Sequence, residues 1–475
     1  MFIGRKEELD FLEAAYASQK AELVVLYGRR RIGKTETLHA FCKEKPHSFY
    51  TCTEYTDLQQ LRAFSSRILT QQHPAAAYVD TFADWEQAFS AITQLPGTEK
   101  KLLIIDEFPY MVKNNHGIPS TLQKLWDQQL KEENVMIVLC GSAMAFIEKE
   151  ILAEKNPLYG RATGILKMKE LDFYEAIQFF PHFSPESQVT AYGILGGIPH
   201  YLKQFDDRLT LEENILKHIF TRGSILYSEI EFLLRQELRE TTVYNTIIEA
   251  IALGNTGLNG IHQKTQIDKS KLSVYLKNLL DLHIIYREFP TVSSPKDQAN
   301  VQRGLYQLSD HYFRFWYAFV FPYFSELEAG SGHQIYQQVV APSLNDFVSK
   351  SFEKACLSYL RHLNKSNRLP FTFVRAGRWW HKDQEIDLLA FDLDRQRWLL
   401  GECKYRNQPM TLSNFLQLQQ KGSSATAGKA VSPENVCYYL FSKNGFSEDL
   451  IRMSQNTPHL HLIDLPQLLN HSPAP

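Results

Sequence analysis

The feature that most constrains this chain is an eight-residue loop near its start, Gly28-Arg29-Arg30-Arg31-Ile32-Gly33-Lys34-Thr35. It follows the apolar run Glu22–Tyr27 (ELVVLY) and precedes a helical pattern over Thr35–Lys43. The spacing is GxxxxGK[ST] throughout. Glycines let successive backbone N–H groups turn inward around phosphate oxygens, and the helix N-terminus adds a favourable dipole. Lys34 then reaches the outer phosphates, and the Thr35 hydroxyl can ligate Mg²⁺. A chance match in a Gly-rich turn is the alternative, but the strand before and the helix after are what the chemistry requires. Arg29, Arg30 and Arg31 read as partly exposed, with one available to phosphate or nucleic acid.

A strand feeding a helix through such a loop calls for a parallel sheet covered on both faces, whose strands read as continuous aliphatic runs. The runs are present at Phe49–Cys52, Lys101–Asp106 (KLLIID) and Val135–Cys140 (VMIVLC). The third of the four strands ends in Asp106-Glu107. Asp106 is expected to hold Mg²⁺ and Glu107 to orient or deprotonate the attacking water. A solvated strand end is the plain alternative. Ser142, after the next strand, could touch the γ-phosphate, or it is a turn serine. Arg161 could stabilise charge on the transferred phosphoryl group, or it is a surface arginine.

These segments form an ordered set: Phe2-Ile3-Gly4-Arg5 with Glu7-Glu8-Leu9, the GRRRIGKT loop, LLIIDEFPY, CGSA, PLYGRATG, and Gly196-Gly197-Ile198-Pro199-His200-Tyr201-Leu202. Over roughly the first 290 residues the set resembles the archaeal-type ATPase family, a branch of the AAA-related P-loop ATPases close to the STAND group. The resemblance implies ATP as ligand with Mg²⁺, a nucleotide-binding core, a helical lid and a winged helix. It also places Gly4 and Arg5 near the adenine side and brings Pro199 to the nucleotide from the lid. For Pro199 a helix-breaking turn is the other reading.

Beyond the core, the pattern looks helical from Leu166 to Arg239. Residues 242–308 then read helix, helix at Gly260–Gln266, turn, helix at Lys269–Leu282, strand IIYREF, polar loop TVSSPKDQANVQRG and strand LYQLS. That is the order of a winged helix-turn-helix. Lys269, Ser270, Lys271, Ser273, Tyr275 and Lys277 lie on the expected recognition helix, which serves either DNA or a protein partner. The aromatic run His311–Tyr323 reads as packing, and Ser325–His333 as a linker. A last unit follows: helix Ser343–Leu363, strands FTFVR, EIDLLAF and RWLLGECKY, helix Leu412–Lys421, strand NVCYYLF.

In that unit Asp387 lies on an alternating strand, and fifteen residues later comes Glu402-Cys403-Lys404. Alternation puts Glu402 and Lys404 on one face. If the strands are neighbours, Asp387 and Glu402 converge as oxygen ligands for Mg²⁺ or Mn²⁺. Lys404 then stands beside the nucleophile, and Glu353 on the preceding helix can add a carboxylate. Salt-bridged edge strands are the alternative. The arrangement resembles the PD-(D/E)xK nuclease superfamily, although Ile386 stands where that family has proline. Arg375, Arg378, Trp379, Trp380, His381, Lys382, Lys404, Tyr405 and Arg406 form a basic, aromatic cluster. It suits either base stacking or ordinary packing.

The expected organisation is therefore an α/β multidomain chain. A P-loop NTPase parallel sheet occupies 1–165 and a helical lid 166–239. A winged helix with an aromatic connector spans 240–324, a linker 325–342, and a restriction-endonuclease-like α/β domain 343–475. Fifty-one Lys and Arg against 53 Asp and Glu exclude a polybasic protein held to nucleic acid by bulk charge. Six scattered cysteines show no zinc spacing or disulfide framework. No signal-peptide pattern or membrane-length apolar run is present, so the reading is cytoplasmic with no membrane partner. The favoured function is an ATPase regulating a metal-dependent nuclease-like domain on nucleic acid, DNA in preference, with homo-oligomer assembly open. The alternative is a STAND-type ATP switch that oligomerises and signals through its winged helix and a silent nuclease-like domain. A third reading, a DNA-binding regulator, sits poorly with the intact acid set.

Overall fold

The computed structural model describes residues 2–70, 73–238, 240–299, 304–426 and 431–470. The expected lid boundary at Arg239 and residues 300–303 of the polar loop lie outside the described residues. Residues up to Leu171, with Ile198–His200, form one compact unit. Asp172–Gly197 and the residues from Tyr201 onward form a second.

The first unit is built on five parallel strands: β1 (Glu22–Tyr27), β2 (His47–Thr51), β3 (Lys101–Asp106), β4 (Val135–Gly141) and β5 (Gly164–Lys167). Their order in the sheet is β2-β3-β4-β1-β5. The unbroken aliphatic runs have a direct cause. Leu23, Val25, Leu103, Ile105, Ile137 and Leu139 pack into a core on one face. Val24, Leu26, Leu102, Ile104, Met136 and Val138 pack into a second core on the other. With both faces dry, neither set of alternating positions can be polar. At about 1.5–3 kcal/mol for each large side chain buried, the central strands anchor the unit.

β5 departs from expectation, since Leu166 and Lys167 are strand and not the start of a helical region. It is a four-residue edge strand paired only with β1, with alternating half-buried and exposed positions. So short an amphipathic run carries little sequence signal. The glycine that opens it lets the ring of Phe11 approach; a Cβ on Gly164 would lie 2.6 Å from Phe11 Cζ.

In the second unit, three helices (Thr241–Ala252, Leu258–Thr265 and Lys269–Asp281) precede an antiparallel pair, β6 (Ile285–Glu288) and β7 (Leu305–Leu308). Between those strands, Pro295–Ala299 is a short helix and not open loop. His311–Phe319 is a buried helix whose aromatic polar groups bond packing neighbours. Tyr312 Oη donates to Leu226 O, Trp316 Nε1 to Tyr227 O and Tyr317 Oη to Asn245 Oδ1. The expected linker is likewise helical over Phe324–Glu328 and Gly332–Ile335, and Leu327 and Ile335 are buried. Gly330, at φ +87°, separates the two helices without opening the chain.

A 25-residue helix, Ala341–Lys365, leads into five further strands. They are β8 (Arg375–His381), β9 (Gln384–Phe391), β10 (Trp398–Lys404), β11 (Val436–Ser442) and β12 (Leu460–Asp464), in the order β12-β11-β10-β9-β8. β8 begins at Arg375, later than the FTFVR run suggested, and β12 lay outside the sequence reading. β8, β9 and β10 are antiparallel neighbours, while β10, β11 and β12 run parallel. Among the described residues, no helix is long and apolar enough to cross a membrane. All six cysteines are buried and free of disulfides.

Candidate functional site

The loop after β1 is closely fitted. A Cβ on Gly28 would stand 2.5 Å from Ile32 Cδ1 and 2.6 Å from Met168 O, so only glycine lets the chain leave the strand here. Gly33 has φ +89°, the left-handed region that glycine enters without steric cost. It caps the helix Lys34–Cys42, whose first N–H groups face the loop. The Lys34 ammonium donates to Gly28 O and Arg29 O, both at 3.0 Å. Burial pulls its pKa down, and the nearby charges of Cys140, Glu107 and Asp106 oppose that. The lysine is thus buried and poised over the loop that a polyphosphate would fill. Arg31 is exposed; Arg29 and Arg30 are half-buried.

β3 is separated from β1 by β4, yet its end meets the loop helix. Thr35 Oγ1 donates to Asp106 Oδ2 at 2.8 Å. A hydroxyl and a carboxylate oxygen at that separation suit Mg²⁺, which takes oxygen ligands and keeps most of its waters. Glu107 follows with φ +52°. Its Oε2 accepts from both the amide and the hydroxyl of Ser142, at 3.2 and 2.9 Å. Ser142 therefore holds the carboxylate of Glu107.

The other expected ligands divide. Arg5 is buried, and its guanidinium donates to Ile32 O and Lys169 O, each at 2.7 Å, and to Glu8. It braces the phosphate loop from behind, so its fork is already filled by protein oxygens. Gly4 has φ +70° and sets up that turn. Pro199 belongs to the same compact unit as the sheet, and its Cγ lies 3.8 Å from where a Gly33 Cβ would be. Arg161 is elsewhere. The backbone at Thr163 pairs with Leu23, at the start of β1, and Arg161 is bound to Asp127 at 2.9 Å. Five residues of strand, at about 3.3 Å each, separate that end from Gly28, roughly 16 Å. Arg161 does not reach the phosphate loop of this chain, because its side chain is too short to span the sheet.

In the second unit the β9–β10 ladder ends at the pair Leu388–Gly401. Just past that end lie Asp387 and Glu402. Carboxylate oxygens of Glu353, Glu385 and Asp387 fall within 4.8 Å of one another. Asp387 Oδ2 also accepts from the Cys403 amide at 2.8 Å. Burial, then the charge of Asp387, pushes the Glu353 carboxyl up to about 8. Burial, then the charge of Glu402, pushes Asp387 up to about 6. Such clustering is unfavourable without a cation. Glu402 itself is paired with Lys404 at 2.6 Å and Lys421 at 3.4 Å.

The expected pairing of Asp387 with Glu402 is replaced by a different set: Asp387 clusters with Glu353 and Glu385, while Glu402 faces Lys404 and Lys421. Glu353 was anticipated, but Glu385 was missed, although it shares a face with Asp387 two residues on. Lys421 gave no signal in sequence. Four of the nine residues of the expected basic, aromatic cluster have other work. Trp379 is in the core, and the Tyr405 hydroxyl bonds Thr190 at 2.9 Å. Arg375 donates to Ser293 O, and Arg378 is bound by Glu288 and Glu385.

The parallel sheet, the loop and the Thr35–Asp106–Glu107 set define a P-loop ATPase module. Residues 2–205 match the model of an ATPase domain predominantly from Archaea. Residues 316–419 match a family of archaeal and bacterial proteins of unknown function. An uncharacterized protein of Methanocaldococcus jannaschii is 35% identical over 408 residues, 86% of this chain and 88% of that one. An uncharacterized ATP-binding protein of the same organism is 53% identical over 45 residues, 10% of this chain and 76% of that one. The solved Walker-type ATPase of Pyrococcus abyssi shares the fold, with TM-score 0.51 at 21% identity, covering 66% of this chain and 96% of that one. The chain belongs to the archaeal-type ATPase family, and its first module binds and hydrolyses ATP.

Proposed function

We propose that this ATPase regulates a metal-dependent nuclease-like module formed by its C-terminal sheet, and that the substrate is nucleic acid, DNA in preference to RNA. The observation that carries the reading is the convergence of Glu353, Glu385 and Asp387 beside the Glu402–Lys404 pair, where the β9–β10 ladder ends. The donor set is all carboxylate oxygen, which fits Mg²⁺ or Mn²⁺ and no softer ion. Asp387, with Glu353, Glu385 or Glu402, would hold the ion. When bound it would supply charge stabilisation at a scissile phosphate and a more acidic water. Lys404, freed from Glu402, would hold that water by hydrogen bonding. Helices 241–252, 258–265 and 269–281 with β6–β7 read as the winged helix, and residues 166–239 as the lid. We assign 325–342 as the junction before the nuclease-like domain at 343–475.

In the ATPase, Lys34 would bind the outer phosphates, and Thr35 and Asp106 would hold Mg²⁺. Glu107 would turn from Ser142 toward the attacking water. Pro199 would contact the nucleotide. Arg161, if it acts on phosphate, would do so in a second copy, which ties that role to homo-oligomer assembly.

The test is cleavage of labelled single- and double-stranded DNA and RNA with Mg²⁺ or Mn²⁺, with and without ATP, using wild type, Lys34→Ala and Lys404→Ala. Cutting that is lost in Lys404→Ala and altered in Lys34→Ala supports both parts. No cutting on any substrate while ATP is hydrolysed favours the second reading, an ATP switch with a silent nuclease-like domain. One observation speaks for that alternative: both Glu402 oxygens already face lysines, Lys404 and Lys421.

A further inference from the structure

The carboxylate cluster of the C-terminal sheet is not without a cation; it has one built in. Arg378 lies at an irregularity of β8, where the pairing with β9 shifts register between Gly377 and Trp379. Its guanidinium donates to Glu385 Oε1 through Nη2 at 2.5 Å and Nε at 3.0 Å, and Nε lies 3.7 Å from Glu353 Oε2. Two of the three clustered carboxylates thus meet the same planar cation. The third edge of the fork leaves this domain: Nη1 donates to Glu288 Oε2, on strand β6, at 2.7 Å. The backbone is tied at the same point. The Thr291 amide and hydroxyl both donate to Arg378 O, at 2.9 and 2.8 Å. A Cβ on Gly377 would lie 2.9 Å from Thr291 Oγ1, so β8 and the segment after β6 are in intimate contact.

We propose that Arg378 is an internal competitor for the divalent cation and couples occupancy of the acidic site to docking of the β6 segment. A guanidinium bridging two carboxylates occupies the charge position that a metal ion would take, and both cannot be accommodated at such separations. Metal binding must therefore expel Arg378 from Glu385 and Glu353, leaving it to Glu288 alone or to solvent. Because Arg378 O anchors Thr291, that movement is transmitted to the β6 segment. Linkage makes the effect reciprocal: whatever pulls the β6 segment away favours the metal. The β6–β7 pair is the part of this unit that we read as the wing, so a ligand engaging it would open the metal site. The inference rests on reading the cluster as a metal site.

The test uses the full chain and Mn²⁺, with free ion followed by electron paramagnetic resonance at about pH 8. The proteins are wild type, Arg378→Gln, Arg378→Lys and Asp387→Asn. Arg378→Gln is expected to bind Mn²⁺ roughly ten-fold tighter than wild type or better. Arg378→Lys keeps the charge but lacks the fork, and should fall between them; it serves alone if the glutamine variant does not fold. Hydrogen exchange gives the second readout: Mn²⁺ should alter exchange at Thr291 in wild type but not in Arg378→Gln. Binding that depends on Asp387 but is equal in wild type and both Arg378 variants overturns the competitor while leaving the metal site intact. Binding unchanged in Asp387→Asn means the cluster takes no metal, and the reading beneath the proposal fails instead.

Discussion

Glu353→Gln should stabilise the metal-free protein at alkaline pH and leave it unchanged at acid pH. Glu353 is only 18% exposed, among carboxylates, and its pKa is pushed up to about 8 by burial and the Asp387 charge, with Arg378 opposing. In the unfolded chain the same group titrates near 4.5. The sign follows from which state releases its proton first. Above the unfolded value the unfolded chain ionises while the folded chain holds its proton, so stability falls with rising pH until about 8 and is then flat. The gap between the two values, at about 1.4 kcal/mol per pH unit, sets an upper bound near 5 kcal/mol. Burial is the larger cause, and the Asp387 repulsion is counted once for the pair, so the effect of Glu353→Gln should fall below that bound. The assay is urea unfolding followed by tryptophan fluorescence across this pH range, chelator present. The difference between variant and wild type should be near zero at about pH 4 and grow above it. If the cluster holds a metal ion with Glu353 as a ligand, as proposed, saturating Mg²⁺ should then reverse the order. A variant that is destabilised equally at both ends of the range would refute the argument, since Glu353 would then be acting through packing.

Three further outcomes concern the ATPase. Lys34→Ala should lower ATP turnover by roughly a hundred-fold or more in a phosphate-release assay, with the fold retained, because the buried ammonium is the loop's only lysine. Ser142→Ala should raise basal turnover a few-fold at unchanged KM, since one of two hydrogen bonds holding Glu107 is removed; a fall would instead show that Ser142 itself serves the phosphate. Arg5→Ala leaves Ile32 O and Lys169 O without their donor, so it should cost about 2–4 kcal/mol in thermal unfolding and weaken ATP binding in equilibrium titrations. An unchanged melting temperature would assign Arg5 to the ligand and not to the loop.

Local chemistry is what sequence carries well. Glycines at 28 and 33, a lysine, a hydroxyl and an acid pair on aliphatic strands declare the ATP site. Each requirement there is set by near neighbours in the chain or by the period of a strand. The three central strands, β3, β4 and β1, were legible for the same reason: two dry faces leave no polar positions to confuse the pattern. β5 and β12 were not legible. β5 is a short amphipathic edge whose state depends on the strand it meets, and β12 became apparent only in its pairing with β11. The helices at 324–328 and 332–335 hid behind polar, Gly-containing composition that also describes a linker.

The acidic site divides the same way. Asp387, Glu402 and Lys404 could be read because alternation along two strands predicts a shared face. Glu385 obeys the same alternation but stood outside the motif, and its role depends on how Glu353 is brought in from a helix some thirty residues earlier in the chain. Arg161 shows the reverse: a suggestive position in sequence that the sheet carries to the wrong end of β1. Arg378 had looked like part of a surface for nucleic acid. Only the packing of β6 against β8 turned it into the cation that Glu288, Glu353 and Glu385 share. Sequence alone determined which chemistry this chain can carry. Tertiary structure decided which charges meet, because residues ninety positions apart find each other through packing, and no local pattern encodes that.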